Sequence, residues 1–295
     1  MHACPKRNMT QLAENQGSAA WNSPSHLEAF SDWFEDLRIY RELRSRQIYQ
    51  NLGRCLSEVV DQAEVINELG VGGGRSYQFF TNLLNGRRKG RAKNCNYKGY
   101  DIAQQCVDFC NSTFGPRFEL VDESSEFRKC DLFFFFDVLV HSEDPLALLD
   151  KVSLSTTKFL CFQTPTRDAG VTEYNPEKSC RLENGTWVPW IVFNLDELLD
   201  ELRERGFERF LVLKACKDFS GGGKRFLPKE FFEPAVGSAR TAICAIKKDV
   251  SYGLEGYERR VHIEKTTGQV KIPTTITLMN KIWRKTRQRS VAVIA

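Results

Sequence analysis

No stretch of this sequence is apolar for long enough to span a bilayer as a helix, and the first residues run into polar Gln11 to Gln16 without the hydrophobic core of a secretory signal. The expectation is a cytoplasmic protein without a membrane span. Net charge is also scarce: 42 Lys and Arg against 38 Asp and Glu leave +4, too little by itself to argue for nucleic acid. Basic residues gather locally in 87–93 and 281–289, which read as solvated surface. The 10 cysteines contain no Cys-x-x-Cys pair, and Cys106 and Cys110 stand at helical spacing beside Val107 and Phe109, so no metal site is expected. Without an export signal the thiols are expected to be reduced, and the sequon Asn184-Gly185-Thr186 reads as a turn. There is no internal repeat and no low-complexity tract. A phosphate loop is missing too, because Gly223-Lys224 is followed by Arg225 and preceded, five positions before Gly223, by Asp218.

What is present is the composition of a folded chain, 41% hydrophobic and 27% charged. Residues 1–23 are polar and read as a disordered N-terminus. In 24–62 the apolar residues Leu27, Phe30, Trp33, Phe34, Leu37 and Tyr40, then Ile48, Leu52, Leu56 and Val60, recur at helical spacing and predict two amphipathic helices. Ser25 and Glu28 form a capping box for the first. Residues 63–250 read as the main domain and 251–295 as a basic C-terminal extension.

Within the main domain, strands alternate with helices. Strands are expected at 65–69, 97–100, 118–121, 131–139, 158–162, 210–216 and 240–246. Helices are expected at 76–84, 103–114, 145–154 and 195–205, and a loop at 166–194. Continuously apolar strands between helices mean a sheet buried on both faces. The fold class is therefore α/β, a doubly wound Rossmann-like sheet of seven strands.

The residues that carry chemistry follow the first strand. In Glu68-Leu69-Gly70-Val71-Gly72-Gly73-Gly74-Arg75 glycines let the backbone turn sharply and approach a ligand. Acidic residues end the first two strands, Glu68 and Asp101. A dinucleotide fingerprint starting at Gly70 fails, since its last glycine would fall on Arg75.

On these residues the sequence resembles the class I S-adenosylmethionine-dependent methyltransferases over roughly residues 65–248. The resemblance implies a mostly parallel sheet with one antiparallel strand near the edge. It implies that Glu68, Gly70, Gly72 and Gly74 wrap the methionine and ribose part of S-adenosyl-L-methionine. Asp101, with Ile102 beside it, would hold the ribose hydroxyls, and Asp122 would lie near the adenine. Asp137-Val138-Leu139-Val140-His141 matches the family's fourth strand, which adds Asp137 to the cofactor set. The spacing from Glu68 to Asp101 is longer than usual, and the excess falls in 87–96, read as a surface loop. Glu143-Asp144-Pro145-Leu146 and Val188-Pro189-Trp190-Ile191-Val192-Phe193-Asn194 are similar to a little-characterised bacterial branch, with Val188 where that branch has an aromatic.

Carboxylates suit a sugar diol, and methyl transfer needs mainly alignment and exclusion of water. His141 is the candidate base at the mouth of strand four, with the role of holding the next helix start as its alternative. Arg181, Trp187 and Trp190 are the candidate acceptor residues, with Trp187, Trp190 and 219–226 expected as a mobile cover and stapling of a loop to the core as the alternative for the two tryptophans. The Asn-Pro-Pro-Tyr motif of adenine amino methyltransferases is absent, which argues against a nucleic-acid acceptor. The resemblance thus implies methyl transfer to a small-molecule or sugar hydroxyl; a non-catalytic scaffold and an NAD-type oxidoreductase are the alternatives.

Overall fold

The computed structural model describes residues 47–78, 80–81, 95–176, 178–183, 186–215, 226–227, 239–251 and 260–264. The first predicted helix and both basic clusters lie outside these residues, as do 219–225 and the extension beyond Glu264. The second predicted helix is α1 (Gln47–Val59). Its Leu52, Cys55, Leu56 and Val59 are wholly buried, the spacing of one apolar stripe. That stripe packs on the main sheet, so α1 is a cover of the domain.

The sheet begins with β1 (Val65–Leu69), β2 (Asn96–Asp101), β3 (Phe118–Leu120), β4 (Cys130–Phe136) and β5 (Thr156–Arg167). Between them lie a helix starting at residue 75, then α2 (Gln104–Phe114) and α3 (Pro145–Ser155). Asp144 caps α3, accepting the Ala147 amide at 2.9 Å, and Pro145 takes the first helical position where its missing N–H costs nothing. A hairpin follows, β6 (Cys180–Glu183) and β7 (Thr186–Pro189), then the short β8 (Phe193–Asn194) and α4 (Leu195–Glu204). The chain continues through β9 (Phe207–Ala215), β10 (Phe226–Leu227), β11 (Ala239–Lys247) and β12 (Arg260–Glu264).

Among the described residues the main sheet has the order β12-β9-β11-β5-β4-β1-β2-β3, with β8 added beside β5. The pairs from β3 through β5 are parallel, and β11 runs antiparallel to both β5 and β9. All seven expected strands, the antiparallel one among them, are therefore present, and β8 and β12 make the sheet nine-stranded. Leu132 and Phe134 enter the core on one face, while Phe133 and Phe135 enter it on the other. Burial on both sides explains the unbroken apolar run of β4. No helix among the described residues is long and apolar enough to cross a membrane.

Two boundaries differ from expectation. Strand four stops at Phe136, not Leu139, because Asp137 takes the left-handed region at φ 46° and Leu139 to His141 form a 3-10 turn. The segment 166–194, expected as a loop, contains the β6–β7 hairpin, which joins β10 in a separate antiparallel sheet. The alternation was hidden because β6 and β7 are each four residues long.

Candidate functional site

Successive strands run from β1 to β2 and β3 on one side, while β4 lies on the other. In an open α/β sheet that reversal leaves a crevice at the carboxyl ends of β1 and β4. The glycine turn stands there. Gly70, at φ 72°, donates its amide to the Tyr100 carbonyl at 2.8 Å, and a Cβ added to it would meet Val138 Cγ2 at 2.4 Å. Gly74, at φ 71°, is pressed against Phe114, whose Cε2 would lie 2.3 Å from such a Cβ. Gly72 differs: at φ 49° it needs glycine for its backbone, yet a Cβ there would meet nothing within 4 Å.

Asp101 ties this turn to the next unit. Its Oδ2 accepts the Gly72 amide at 2.8 Å and its Oδ1 the Ala103 amide at 2.9 Å, just before α2. The carboxyl is 7% exposed, and burial raises its pKa while the backbone amides pull it back. The Ile102 amide bonds it as well, and the carboxylate keeps some acceptor capacity for a further donor. Ile102 is half-buried beside it.

Glu68 lies behind the turn. It is fully buried, accepting the hydroxyls of Ser76 and Tyr97, and burial lifts its pKa from 4.5 to about 7 despite those bonds. Its place is to join the glycine turn to the helix start and β2, with no face toward the open side. Asp122 is exposed, and its Oδ1 already accepts the Ser124 amide and the Ser124 and Ser125 hydroxyls at 2.7 to 2.9 Å. Those hydroxyl bonds hold its pKa below the ordinary range.

A second cluster stands at the ends of β4, β5 and β11. Asp137 donates its amide to the Gln163 carbonyl at 3.0 Å; its Oδ1 accepts Gln163 Nε2 at 3.1 Å and its Oδ2 accepts Arg240 Nη1 at 2.8 Å. The recorded partners of the Asp137 carboxylate are thus on β5 and β11. The Arg240 guanidinium lies 5.7 Å from the Trp190 ring centroid and that of Arg181 lies 4.6 Å from it. His141 meets the same indole edge-on at 5.2 Å, and its Nδ1 is 2.9 Å from the Pro189 carbonyl. A carbonyl only accepts, so Nδ1 carries the proton and Nε2 is the basic nitrogen.

Trp190 does not stand out as a flap. It is 3% exposed, its amide bonds to the Ser179 carbonyl, and its own carbonyl accepts the Ser179 hydroxyl. The expectation of a mobile Trp190 is therefore corrected: burial and two backbone bonds fix it. Trp187 pairs through its backbone with Leu182, and its side chain lies outside the described residues. Gln163 and Arg240 were missed in the sequence. Arg240 could have been found, since the start of an antiparallel strand lies at the carboxyl edge of its parallel neighbours.

No family model matches the chain, and no curated protein matches it in sequence. Among solved structures it is similar to an O-methyltransferase from a trans-AT PKS multienzyme of Brevibacillus brevis in complex with S-adenosyl-L-homocysteine, at 11% identity and TM-score 0.49, covering 78% of this chain and 82% of that one. It is similar to an S-adenosylmethionine-dependent methyltransferase from Mesorhizobium loti at 15% identity and TM-score 0.48, covering 70% and 100%. A third is human N-acetylserotonin methyltransferase in complex with SAM, at 15% identity and TM-score 0.44, covering 82% and 66%. At such identities and scores, function has to be read from this chain's own residues.

Proposed function

We infer that the protein is a class I S-adenosylmethionine-dependent methyltransferase acting on a hydroxyl of a small-molecule or sugar acceptor. The observation that carries this is the Gly72–Asp101 pair: a glycine open on one side, its amide held by a carboxylate with acceptor capacity to spare, at the strand-order reversal. These residues fit the cofactor. Asp101 would take the ribose hydroxyls on its remaining lone pairs, the bare face of Gly72 would admit the methionine and ribose part, and Ile102 would lend an apolar surface. Glu68 would act indirectly, by fixing the turn. Asp122 retains Oδ2 for a contact near the adenine.

When bound, the cofactor supplies a methyl group already activated on a sulfonium. The chain has to align the acceptor oxygen, remove its proton and keep water away. His141 would take the proton step: its Nδ1–H bond to Pro189 leaves Nε2 as the basic nitrogen. Trp190 gives a fixed indole surface beside it.

Titration calorimetry with S-adenosylmethionine and its demethylated product tests the cofactor. Binding of both is expected; heat from NAD alone would replace this function by that of an oxidoreductase. Extracts supplied with methyl-labelled cofactor should then yield a labelled acceptor, whereas cofactor binding without any acceptor would favour a scaffold.

A further inference from the structure

We propose that Arg240, Gln163 and Trp190 form an acceptor subsite for an anionic group, a carboxylate or a phosphate. Arg240 is the starting point. Its side chain is 21% exposed, its recorded acceptor among the described residues is one oxygen of Asp137, and the rest of its guanidinium has no protein acceptor there. A largely desolvated guanidinium with donors to spare, at the ligand-binding edge of the sheet, matches the forked geometry of a carboxylate or phosphate.

Gln163 gives an independent sign. It is 1% exposed, its Nε2 is spent on Asp137, and its Oε1 is buried with no hydrogen-bond partner. A buried amide oxygen left without a donor is unfavourable, and a hydroxyl donor on a ligand would satisfy it. Gln163 bonds Oδ1 and Arg240 Oδ2 of the same carboxylate, so the open donors and the orphan acceptor belong to neighbouring side chains. Asp137 adopts its left-handed backbone there, the kind of local strain that persists where surrounding bonds over-determine it. The buried Trp190 indole backs Arg240, with a second guanidinium, Arg181, over the same ring. The subsite so built takes an acceptor that pairs an anion with a neighbouring hydroxyl. That the bound molecule is a methyl acceptor rests on the methyltransferase function; the anion site stands on its own contacts.

The test follows the tryptophan indole N–H resonances of the whole protein, five in number, with Trp190 assigned through Trp190→Phe. Inorganic phosphate and acetate are titrated separately against chloride at matched ionic strength, which cancels screening. A saturable shift of the Trp190 signal with phosphate alone identifies a phosphorylated acceptor, and one with acetate a carboxylate. Arg240→Gln should weaken that binding by about tenfold or more, as loss of a charge-assisted bond requires. Arg240→Lys, which keeps the charge, should be intermediate and serves if the first variant does not fold. No movement of the Trp190 signal with either anion, or an undiminished shift in Arg240→Gln, overturns the proposal. Failure of S-adenosylmethionine to bind while the shift persists would defeat the methyltransferase function and leave the anion site standing.

Discussion

Glu68 and Asp101 end adjacent strands, yet their surroundings give them different work. Burial holds the Glu68 pKa at about 7 against 4.5 in an open chain. Between those values the unfolded chain releases a proton that the folded protein keeps, so stability falls as pH rises through that window. At about 1.4 kcal/mol per pH unit, the loss between pH 5 and pH 8 comes to about 2 to 3 kcal/mol. Glu68→Gln cannot titrate there. Urea unfolding at the two pH values should show a decline smaller by that amount in the variant; an equal decline would mean that Glu68 is ionised throughout. Asp101 is buried on the backbone amides of Gly72 and Ala103, so its loss should cost stability as well as affinity. Asp101→Ala is expected to weaken S-adenosylmethionine binding by about 1.5 to 3 kcal/mol and, by stranding those amides, to destabilise the fold by about 1 to 3 kcal/mol. Calorimetry and thermal melting of the same sample check it, and unfolding without an affinity change would make the residue structural.

At the scale of the element, the turn from β1 shows how three glycines with similar backbones differ in consequence. Alanine at Gly72 carries the left-handed penalty of about 1 to 2 kcal/mol but meets no neighbour. At Gly74 the same penalty is joined by a collision with Phe114 and a tight approach to Cys110 Sγ at 3.2 Å. Overpacking of that kind adds about 1 to 3 kcal/mol. Melting should therefore rank Gly74→Ala below Gly72→Ala. Cofactor affinity should set Gly72→Ala apart, since its methyl would enter the open side of the turn. If the two variants melt alike, Phe114 gives way freely and Gly74 is glycine for backbone reasons alone.

Across the whole molecule, α1 precedes the glycine turn and is part of the same core. Leu56 is wholly buried within the stripe that α1 sets against β5, β9 and β11. Leu56→Ala should cost about 2 to 5 kcal/mol of stability while leaving cofactor affinity in the folded fraction unchanged, as denaturant unfolding and calorimetry would show. A small stability loss would mean that the site collapses around the cavity. The order of strands and helices, the glycine turn and the carboxylate at Asp101 were legible from local pattern, because apolar runs, glycines and strand-end acids announce themselves within a few residues. The ends of elements were less so: β5 runs on to Arg167 through buried Gln163 and Thr164, polar residues that look like a strand's end until β11 is seen pairing with them. By itself, the sequence determined a doubly wound sheet and the place of its glycine turn, since both follow from periodicity and chain order. Only the tertiary structure decided that Glu68 faces inward, that Trp190 is fixed, and that Asp137, Gln163 and Arg240 meet. Those three come from β5, β11 and the end of β4, and side chains so distant in sequence are brought together only by strand register.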